Sequence, residues 1–374
     1  MKISLLRCLA ICAALFYFAD SLRSEPLHPA DISFRNEVQH AIDQGLSWLR
    51  THQNTNGYWS TPDQPAVTAL ALSAFMGEPS HENQRHPPAA LQRGFQFIAS
   101  HVKPDGSIYG KGLQNYNTAI CMMALLAAHN PRYDPILRQA RQWLVSQQVD
   151  GGVGYGDHGP HSDMNNTFTA LEALYYSKYL EQDKGLAGGK DLDWAAAIRF
   201  IQSCQNLPAV NKQAWVSEDP RDTGGFVYFP GESKAGTATN ASGRVALRSY
   251  GSISYAGLLS YIYADLQRDD PRVQAAHAWV RHNFTLDENP GMGPQGMYYY
   301  YQLMSKALTI YGVDQLKTSS GRTIDWRKDL AMKLINLQKP DGSWMNDNGR
   351  WWEHDPSLVT AYSLMSLEIL YPAL

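Results

Sequence analysis

One pattern recurs six times along this chain and constrains its fold more than any other feature. Each copy holds an amphipathic helix, a glycine-containing turn, a polar loop and a second helix rich in alanine, leucine and threonine. In the first copy, Val38, Ile42, Leu46 and Leu49 recur at three- and four-residue steps, which places them on one face of a helix. Such repeats predict an all-helical protein in which every helix pair packs against its neighbours.

The second helices of the repeats are apolar on nearly every side. Examples are the segments at 116–129, YNTAICMMALLAAH, and at 358–371, LVTAYSLMSLEILY. A helix without a polar face has to be enclosed, so we expect an inner ring of these helices covered by the amphipathic ones. Neither terminal repeat has a polar capping helix, which favours an (α/α)6 toroid, a closed barrel of six helical hairpins, over an open solenoid.

The N-terminal segment has the pattern of a secretory signal. Lys2 and Arg7 precede an uncharged apolar run at 8–19, and small residues follow. The run is shorter than the ~20 apolar residues that span a bilayer, although a retained anchor is the alternative. The sequence therefore predicts a signal peptide at 1–21, a toroid at 36–371, and a periplasmic or secreted protein that does not require a membrane.

Charge and cysteine content narrow the choice of partners. The 32 Lys and Arg residues are outnumbered by 35 Asp and Glu residues and are spread thinly, which argues against nucleic acid as a ligand. Cys121 and Cys204 lie beyond the signal and within helical patterns, so they are expected to be buried free thiols. A small apolar molecule or a glycan is the expected partner.

The turns carry a motif with a specific resemblance. The segment at 45–49, GLSWL, is followed by Gln53, Gly57 and Trp59, and the segment at 338–344, QKPDGSW, repeats the second half of this pattern. The pattern resembles the QW motif of squalene-hopene cyclases and their relatives, among them the β subunits of protein prenyltransferases. The resemblance extends over about residues 36–371 and implies a terpene-cyclase-like toroid whose central cavity holds an apolar or isoprenoid ligand.

The catalytic motifs of these relatives are incomplete here. Class II terpene cyclases carry DxDD followed by Thr, and their middle Asp protonates an alkene. Asp163 and Thr167 match that motif, but Asn165 and Asn166 replace the two later carboxylates. An amide has no proton to give, so this motif should not protonate an alkene. Prenyltransferases use Asp, Cys and His around zinc, and neither mature Cys lies in a rim loop, so that chemistry is also disfavoured.

The remaining polar candidates lie in two loops that a toroid places at the same rim. Asp157, His158, His161 and Asp163 occur in one loop, and Glu353, His354 and Asp355 occur in another. We take Asp163, Asp355 and His354 as the candidate catalytic groups, since carboxylates and imidazoles from opposed loops can converge. No cofactor is expected. A metal ion at 157–163 is one interpretation of the first loop, and helix capping is the other.

Further residues are candidates for ligand binding. These are polar groups near the loop at 157–166 and aromatic residues expected to line the lumen: Asp157, His158, His161, Asn165, Asn166, Tyr116, Tyr155, Tyr228, Tyr299 and Trp352. The aromatic rings would contact an apolar ligand or stack on sugar rings.

Three functions remain open at this point. The first is a terpene-cyclase-like protein that holds an isoprenoid but lacks the usual acid. The second is a carbohydrate-active hydrolase or lyase, which would need two carboxylates roughly 5 to 10 Å apart, with Asp163 and Asp355 as the candidates. The third is a non-catalytic scaffold whose rim binds another protein.

Overall fold

The computed structural model describes residues 29–156, 161–181, 191–239, 243–318 and 321–374. Its helices alternate between an outer and an inner layer. The outer helices are α1 (Pro29–Thr51), α4 (Ala89–Ser100), α6 (Asp134–Ser146), α8 (Trp194–Ser203), α10 (Pro271–His282) and α12 (Trp326–Leu337). The inner helices are α2 (Pro65–Gly77), α5 (Gln114–Ala127), α7 (Met164–Tyr176), α9 (Gly251–Tyr263), α11 (Met297–Tyr311) and α13 (Pro356–Leu370). A short helix, α3 (Glu82–Arg85), lies between the first two pairs.

The inner helices form a closed ring. Each packs against the next in the order α2, α5, α7, α9, α11 and α13, and α13 packs back against α2. The predicted (α/α)6 toroid is therefore confirmed, and its closure places α7 opposite α13. The inner helices are buried almost throughout because they are apolar on all sides.

Glutamine residues after four of the outer helices join neighbouring repeats. Gln53 donates to the carbonyl oxygen of Gly57 in its own turn at 2.9 Å and to that of Ala90 in the next outer helix at 2.8 Å. Gln148, Gln205 and Gln338 bond in the same way. Each side chain thus reaches the following repeat, because the turn carries it past the end of its own helix.

The glycines and tryptophans of these turns also pack where neighbouring repeats meet. Gly57 has a φ of 93°, and a side chain there would meet the Arg93 carbonyl oxygen of α4 at 2.6 Å, so only glycine fits. Trp59 donates its indole N–H to the Leu49 carbonyl oxygen at 2.7 Å and is almost fully buried. These residues therefore have a packing role in the structure.

Short antiparallel strand pairs occur in the connections. They are β1 (Gln148–Val149) with β2 (Gly152–Val153), β3 (Thr237–Thr239) with β4 (Val245–Leu247), and β5 (Leu316–Lys317) with β6 (Thr323–Ile324). Single 3-10 turns occur at Pro131–Tyr133, Lys178–Glu181, Arg350–Trp352 and Tyr371–Ala373.

The structure bears to different degrees on the predicted signal segment, on membrane-spanning helices and on the two cysteines. The predicted signal at 1–21 lies outside the described residues. Among the helices of the described part, none has both the length and the apolar character needed to cross a membrane. Cys121 and Cys204 are buried free thiols, as predicted.

Candidate functional site

Asp163 caps the N-terminus of α7 and is fully buried. Its Oδ1 accepts from the Asn166 backbone N–H at 2.9 Å, and its Oδ2 accepts from the Asn166 side-chain amide at 2.7 Å. Burial raises the pKa of this carboxyl above its ordinary value, although the hydrogen bonds from Asn166 and Tyr228 oppose the shift. The Oδ1 contact is a helix cap, as the capping interpretation predicts, and the Oδ2 contact joins the Asp163 and Asn166 side chains.

Asn165, at the position of the missing middle carboxylate, contacts an inner helix that is not its neighbour in the ring. Its Oδ1 accepts a hydrogen bond from the Tyr299 hydroxyl of α11 at 2.6 Å. The two helices are not neighbours in the ring, since α9 lies between them. This contact therefore bridges the space in which an isoprenoid would have to lie.

Tyrosine side chains fill the same part of the mouth. The Tyr116 and Tyr362 hydroxyls lie 3.2 Å apart, and the Tyr299 and Tyr362 rings have centroids 5.7 Å apart. Burial raises the pKa of all three phenols, so they are neutral hydrogen-bonding groups at neutral pH. The predicted lumen residues Tyr116 and Tyr299 do come together here, in a tyrosine cluster that includes a third helix.

A buried ion pair lies two helical turns below Asn165 and Tyr299. Lys306 of α11 contacts Glu172 of α7 at 2.7 Å, and the Tyr263 hydroxyl of α9 donates to the same Glu172 oxygen at 2.9 Å. The charged side chains are 14% and 4% exposed. This pair was not predicted from the sequence. A single Glu in one helix and a single Lys in another, both helices being otherwise uncharged, do indicate that the two charges are buried together.

Tyr155 and Tyr228 form a second aromatic group, close to α7. Their hydroxyls are 2.6 Å apart, Tyr155 is exposed and Tyr228 is buried. His161 stacks on Phe229 nearby, with ring centroids 3.9 Å apart. Asp157 and His158, predicted to belong to this loop site, lie outside the described residues. In the described part of the chain, no His, Cys, Asp and Glu residues cluster as metal ligands would.

A separate cleft of about 690 Å³ opens at the rim where the loops before α2, α5 and α13 meet. We call it the rim cleft. It is lined by charged, polar and aromatic side chains and by one glycine: Ser60, Thr61, Asp63, Gln64, Lys111, Gly112, Trp352, His354 and Asp355. Three predicted site residues therefore share one cavity, and Asp163, on the opposite side of the ring, is not among them.

Asp355 lies in the rim cleft and caps α13. Its Oδ1 accepts from the Ser357 backbone N–H at 2.8 Å, and its Oδ2 accepts from the Ser60 hydroxyl. His354 is exposed, and its Nδ1 lies 3.2 Å from the Gly349 carbonyl oxygen. Asp355 and Asp163 belong to opposite inner helices, and each is engaged at its own helix end. The predicted pair of glycosidase carboxylates, Asp163 and Asp355, therefore does not line one cavity.

The tryptophans beside the rim cleft have an unusual backbone. Trp351 and Trp352 both adopt left-handed conformations, with φ of 55° and 66°, and both side chains are 44% exposed. Non-glycine residues in this region cost on the order of 1 to 3 kcal/mol each, and such strain is concentrated at functional sites. The turn therefore presents the Trp352 ring to the cleft at an energetic cost.

Glu353 follows these tryptophans and is buried, with 1% exposure. Its Oε1 accepts from the Tyr299 backbone N–H at the N-terminus of α11 at 2.9 Å, and its Oε2 accepts from the Asn346 side-chain amide at 2.7 Å. Burial raises the pKa of this carboxyl to about 7 against the opposing effect of those donors. The sequence placed Glu353 beside His354 and Asp355 in this loop but did not select it as a catalytic candidate, since only its contacts with α11 distinguish it from those neighbours.

Comparison with known sequences gives partial matches to one family. Residues 61–169 match the family model described as Squalene-hopene cyclase C-terminal domain. A squalene–hopene cyclase of Bradyrhizobium diazoefficiens is 29% identical over 142 residues, which cover 30% of this chain and 21% of that protein. A probable squalene–hopene cyclase of Sinorhizobium fredii is 29% identical over 146 residues, covering 32% and 22%. The chain thus spans about a fifth of the length of the curated relatives that it matches.

Solved structures share the fold over nearly the whole chain. A type II terpene cyclase from Scytonema in complex with merosterolic acid A has a TM-score of 0.56 at 13% identity and covers 92% of this chain and 99% of its own. An α-1,6-mannanase variant of Salegentibacter in complex with α-1,6-mannotriose has a TM-score of 0.54 at 10% identity, covering 89% and 99%. At these identities the likeness concerns the fold alone.

These matches confirm the resemblance that the turns predicted. The chain is similar in sequence to squalene-hopene cyclases over residues 61–169 and shares its α/α toroid fold with a type II terpene cyclase, while Asn165 and Asn166 stand where the resemblance predicts carboxylates. The same architecture occurs in a glycan-cleaving enzyme. The fold alone therefore does not determine the ligand class, which depends on the side chains at the mouth of the toroid.

Proposed function

We propose that this protein is an exported toroid that binds a glycan at the rim cleft without cyclising isoprenoids. The observation that carries the proposal is the composition of that cleft. It combines the exposed Trp352 ring with Lys111 and two carboxylates, Asp63 and Asp355, in about 690 Å³. An aromatic face beside charged hydrogen-bonding groups suits a ligand that has both C–H faces and many hydroxyls.

The lumen is less suited to an isoprenoid. Its side chains meet across the ring through polar contacts, at Asn165 with Tyr299 and at Glu172 with Lys306. An isoprenoid would have to separate these groups and leave them without partners in an apolar environment, which costs several kcal/mol for a buried charge. This energetic cost favours a glycan, the ligand of the second predicted function, over the isoprenoid of the first.

The hydrogen bonding of the acids favours binding over hydrolysis. Of the two carboxylates in the cleft, Asp355 already accepts hydrogen bonds at both of its oxygens, and Asp163 lies across the ring. Glycoside hydrolysis needs an acid and a second carboxylate on either side of one bond. We therefore propose a glycan-binding role, with the α-1,6-mannanase that shares this fold as precedent for the ligand class only.

Titration calorimetry of the full chain tests the proposal. A panel of soluble oligosaccharides, neutral and acidic, is titrated into the wild type, and farnesol in detergent is titrated in parallel. We expect heat from at least one oligosaccharide and none from farnesol. Trp352→Ala should lower the saccharide affinity at least tenfold, or about 1.4 kcal/mol, since it removes the stacking face.

Trp351→Ala is the matched control. Trp351 is as exposed as Trp352 and has the same left-handed backbone, but it is not among the residues that line the cleft. Its replacement should change the affinity less than twofold. Equal losses in both variants, or farnesol binding without saccharide binding, would overturn the proposal.

A further inference from the structure

The turn that carries Trp351 and Trp352 is tied to the rest of the ring mainly by the next residue. Trp352 donates its backbone N–H to Gly349 at 3.2 Å, and its carbonyl accepts from Asp355 at 2.8 Å, so these bonds stay within the loop. Glu353 instead reaches α11 through its side chain, and its backbone carbonyl accepts from Asn346 at 2.8 Å. The turn is thus strained, exposed on one side and fixed by one buried carboxyl on the other.

We propose that Glu353 is the positioning residue of the rim cleft, holding the Trp351–Trp352 turn in the shape that presents Trp352 to the ligand. Its carboxyl occupies the N-terminus of α11, where free backbone N–H groups and the helix dipole favour an acceptor. Asn346 donates to the other carboxyl oxygen and also to the Pro294 carbonyl at 2.9 Å. The contacts join the loop to the segment just before α11. The presence of a ligand rests on the proposed function, but the position of Trp352 does not.

The anchoring has a consequence for pH. Burial raises the pKa of Glu353 to about 7, whereas a hydrated glutamate in an opened turn has an ordinary, lower pKa. The held turn therefore binds its proton more tightly than the opened turn does. It is favoured at low pH, and the preference is lost as the pH rises through about 7.

Other ionisable groups near Glu353 do not give this profile. The phenols of Tyr298, Tyr301 and Tyr362 interact with its charge, and their pKa values are raised above 10.0 by burial, so they stay neutral. The Asp347 carboxylate faces the same Tyr298. His354 and Asp355 follow Glu353 in the chain and lie in the cleft, so the experiment needs variants at these two positions.

Fluorine NMR of protein labelled with 5-fluorotryptophan tests the position of Trp352 without any ligand. The Trp352 signal is assigned by its loss in Trp352→Phe. In the wild type we expect this signal to shift between pH 5.5 and 8.5, values chosen to bracket the Glu353 pKa of about 7. In Glu353→Gln the signal should keep one position throughout. His354→Gln and Asp355→Asn should retain the wild-type shift.

Affinity measured over the same pH range gives the second readout. The proposed saccharide affinity should fall as the pH rises, by up to about tenfold per unit, in the wild type and not in Glu353→Gln. If Glu353→Gln does not fold, Asn346→Ala removes the second donor and should move the midpoint upward. A Trp352 signal that titrates equally in Glu353→Gln overturns this inference. Absence of saccharide binding with the predicted Trp352 titration overturns only the proposed ligand.

Discussion

Gln338 and Ala41 are separated by 297 residues, yet the Gln338 side-chain amide donates to the Ala41 carbonyl oxygen at 2.9 Å. The same amide donates to the Gly342 carbonyl oxygen in its own turn at 2.9 Å. Gln338 follows the last outer helix and Ala41 lies in the first, so this contact crosses the seam of the ring. No peptide bond joins the repeats at the seam, and side-chain contacts have to hold it closed.

Replacing Gln338 by Ala should therefore loosen the first helix. Two hydrogen bonds are lost and two carbonyl oxygens are left to other partners, so we expect a loss of about 1 to 3 kcal/mol in the free energy of unfolding. Urea denaturation measures this loss. Hydrogen exchange should additionally show faster exchange of the α1 amides, because α1 opens locally at the seam.

Gln53→Ala is the control for that prediction. Gln53 makes the same two kinds of bond, but to a repeat that follows it directly in the chain. Its loss in stability should be similar, without selective exchange of α1. The same exchange pattern in both variants would mean that the seam is no weaker than the other joints.

The two asparagines in the altered motif should respond oppositely to a restored carboxylate. Asn165 accepts from Tyr299, and an aspartate accepts that bond equally well, so Asn165→Asp should change stability by less than about 1 kcal/mol. Asn166 donates to Asp163, so Asn166→Asp places two carboxylates together and should cost about 3 kcal/mol at pH 8.

Urea denaturation at pH 5 and pH 8 separates charge repulsion from lost packing. In Asn166→Asp the paired carboxyls share a proton more readily at low pH, so the loss should shrink at pH 5. Asn165→Asp serves as the neighbouring control. An Asn166→Asp loss that is the same at both pH values would show that repulsion with Asp163 is not its cause.

The sequence was sufficient for the helices because their signals are local. Three- and four-residue spacing identified the outer face of the first helix, and the inner segments predicted at 116–129 and 358–371 are the helices Gln114–Ala127 and Pro356–Leu370. Ring closure also followed, since helices that are apolar all round have to be enclosed. Part of the rim cleft was predicted, because three of its lining residues, His354, Asp355 and Trp352, were candidate site residues in one loop at the rim.

The contacts inside the ring could not be predicted in the same way. An inner helix without a polar face gives no indication of which side chains point to the lumen, so the contact of Asn165 with Tyr299 depends on helix rotation. The contact of Glu353 with α11 could not be predicted for a related reason, because its bond to Tyr299 joins elements far apart in the chain. Only the isolated charges Glu172 and Lys306 left a sequence signal that pairing could have explained.

Lys306→Met should be among the most destabilising single changes in the lumen. It leaves Glu172 buried with only the Tyr263 hydroxyl as a partner, and breaking a buried pair this way costs about 3 to 5 kcal/mol. Glu172→Gln with Lys306→Met should recover most of that loss, because a neutral amide still accepts from Tyr263. Urea denaturation of the single and double variants measures the coupling, and additive losses would contradict it.

The buried carboxyl of Glu368 should make the free energy of unfolding depend on pH, and Glu368→Gln should remove this contribution. It lies buried in α13, its Oε1 has no hydrogen-bond partner, and burial, followed by the charge of Glu78, raises its pKa well above the ordinary value. The folded state therefore holds a proton that the unfolded state releases at lower pH. Stability from this group is present at low pH and is lost as the pH rises through the raised pKa, by about 1.4 kcal/mol per unit of difference between the two pKa values.

Glu368→Gln keeps the shape of the side chain without the charge, so its stability should exceed that of the wild type at pH 8 and match it at pH 4. Asp163 and Glu353 also have raised pKa values and give both proteins a slope of the same sign, so the difference between the two curves is the quantity to measure. Glu78→Gln should reduce that difference without abolishing it, because burial is the larger cause of the Glu368 shift. Parallel curves from urea denaturation at pH 4, 6 and 8 would mean that Glu368 reaches solvent in the folded protein.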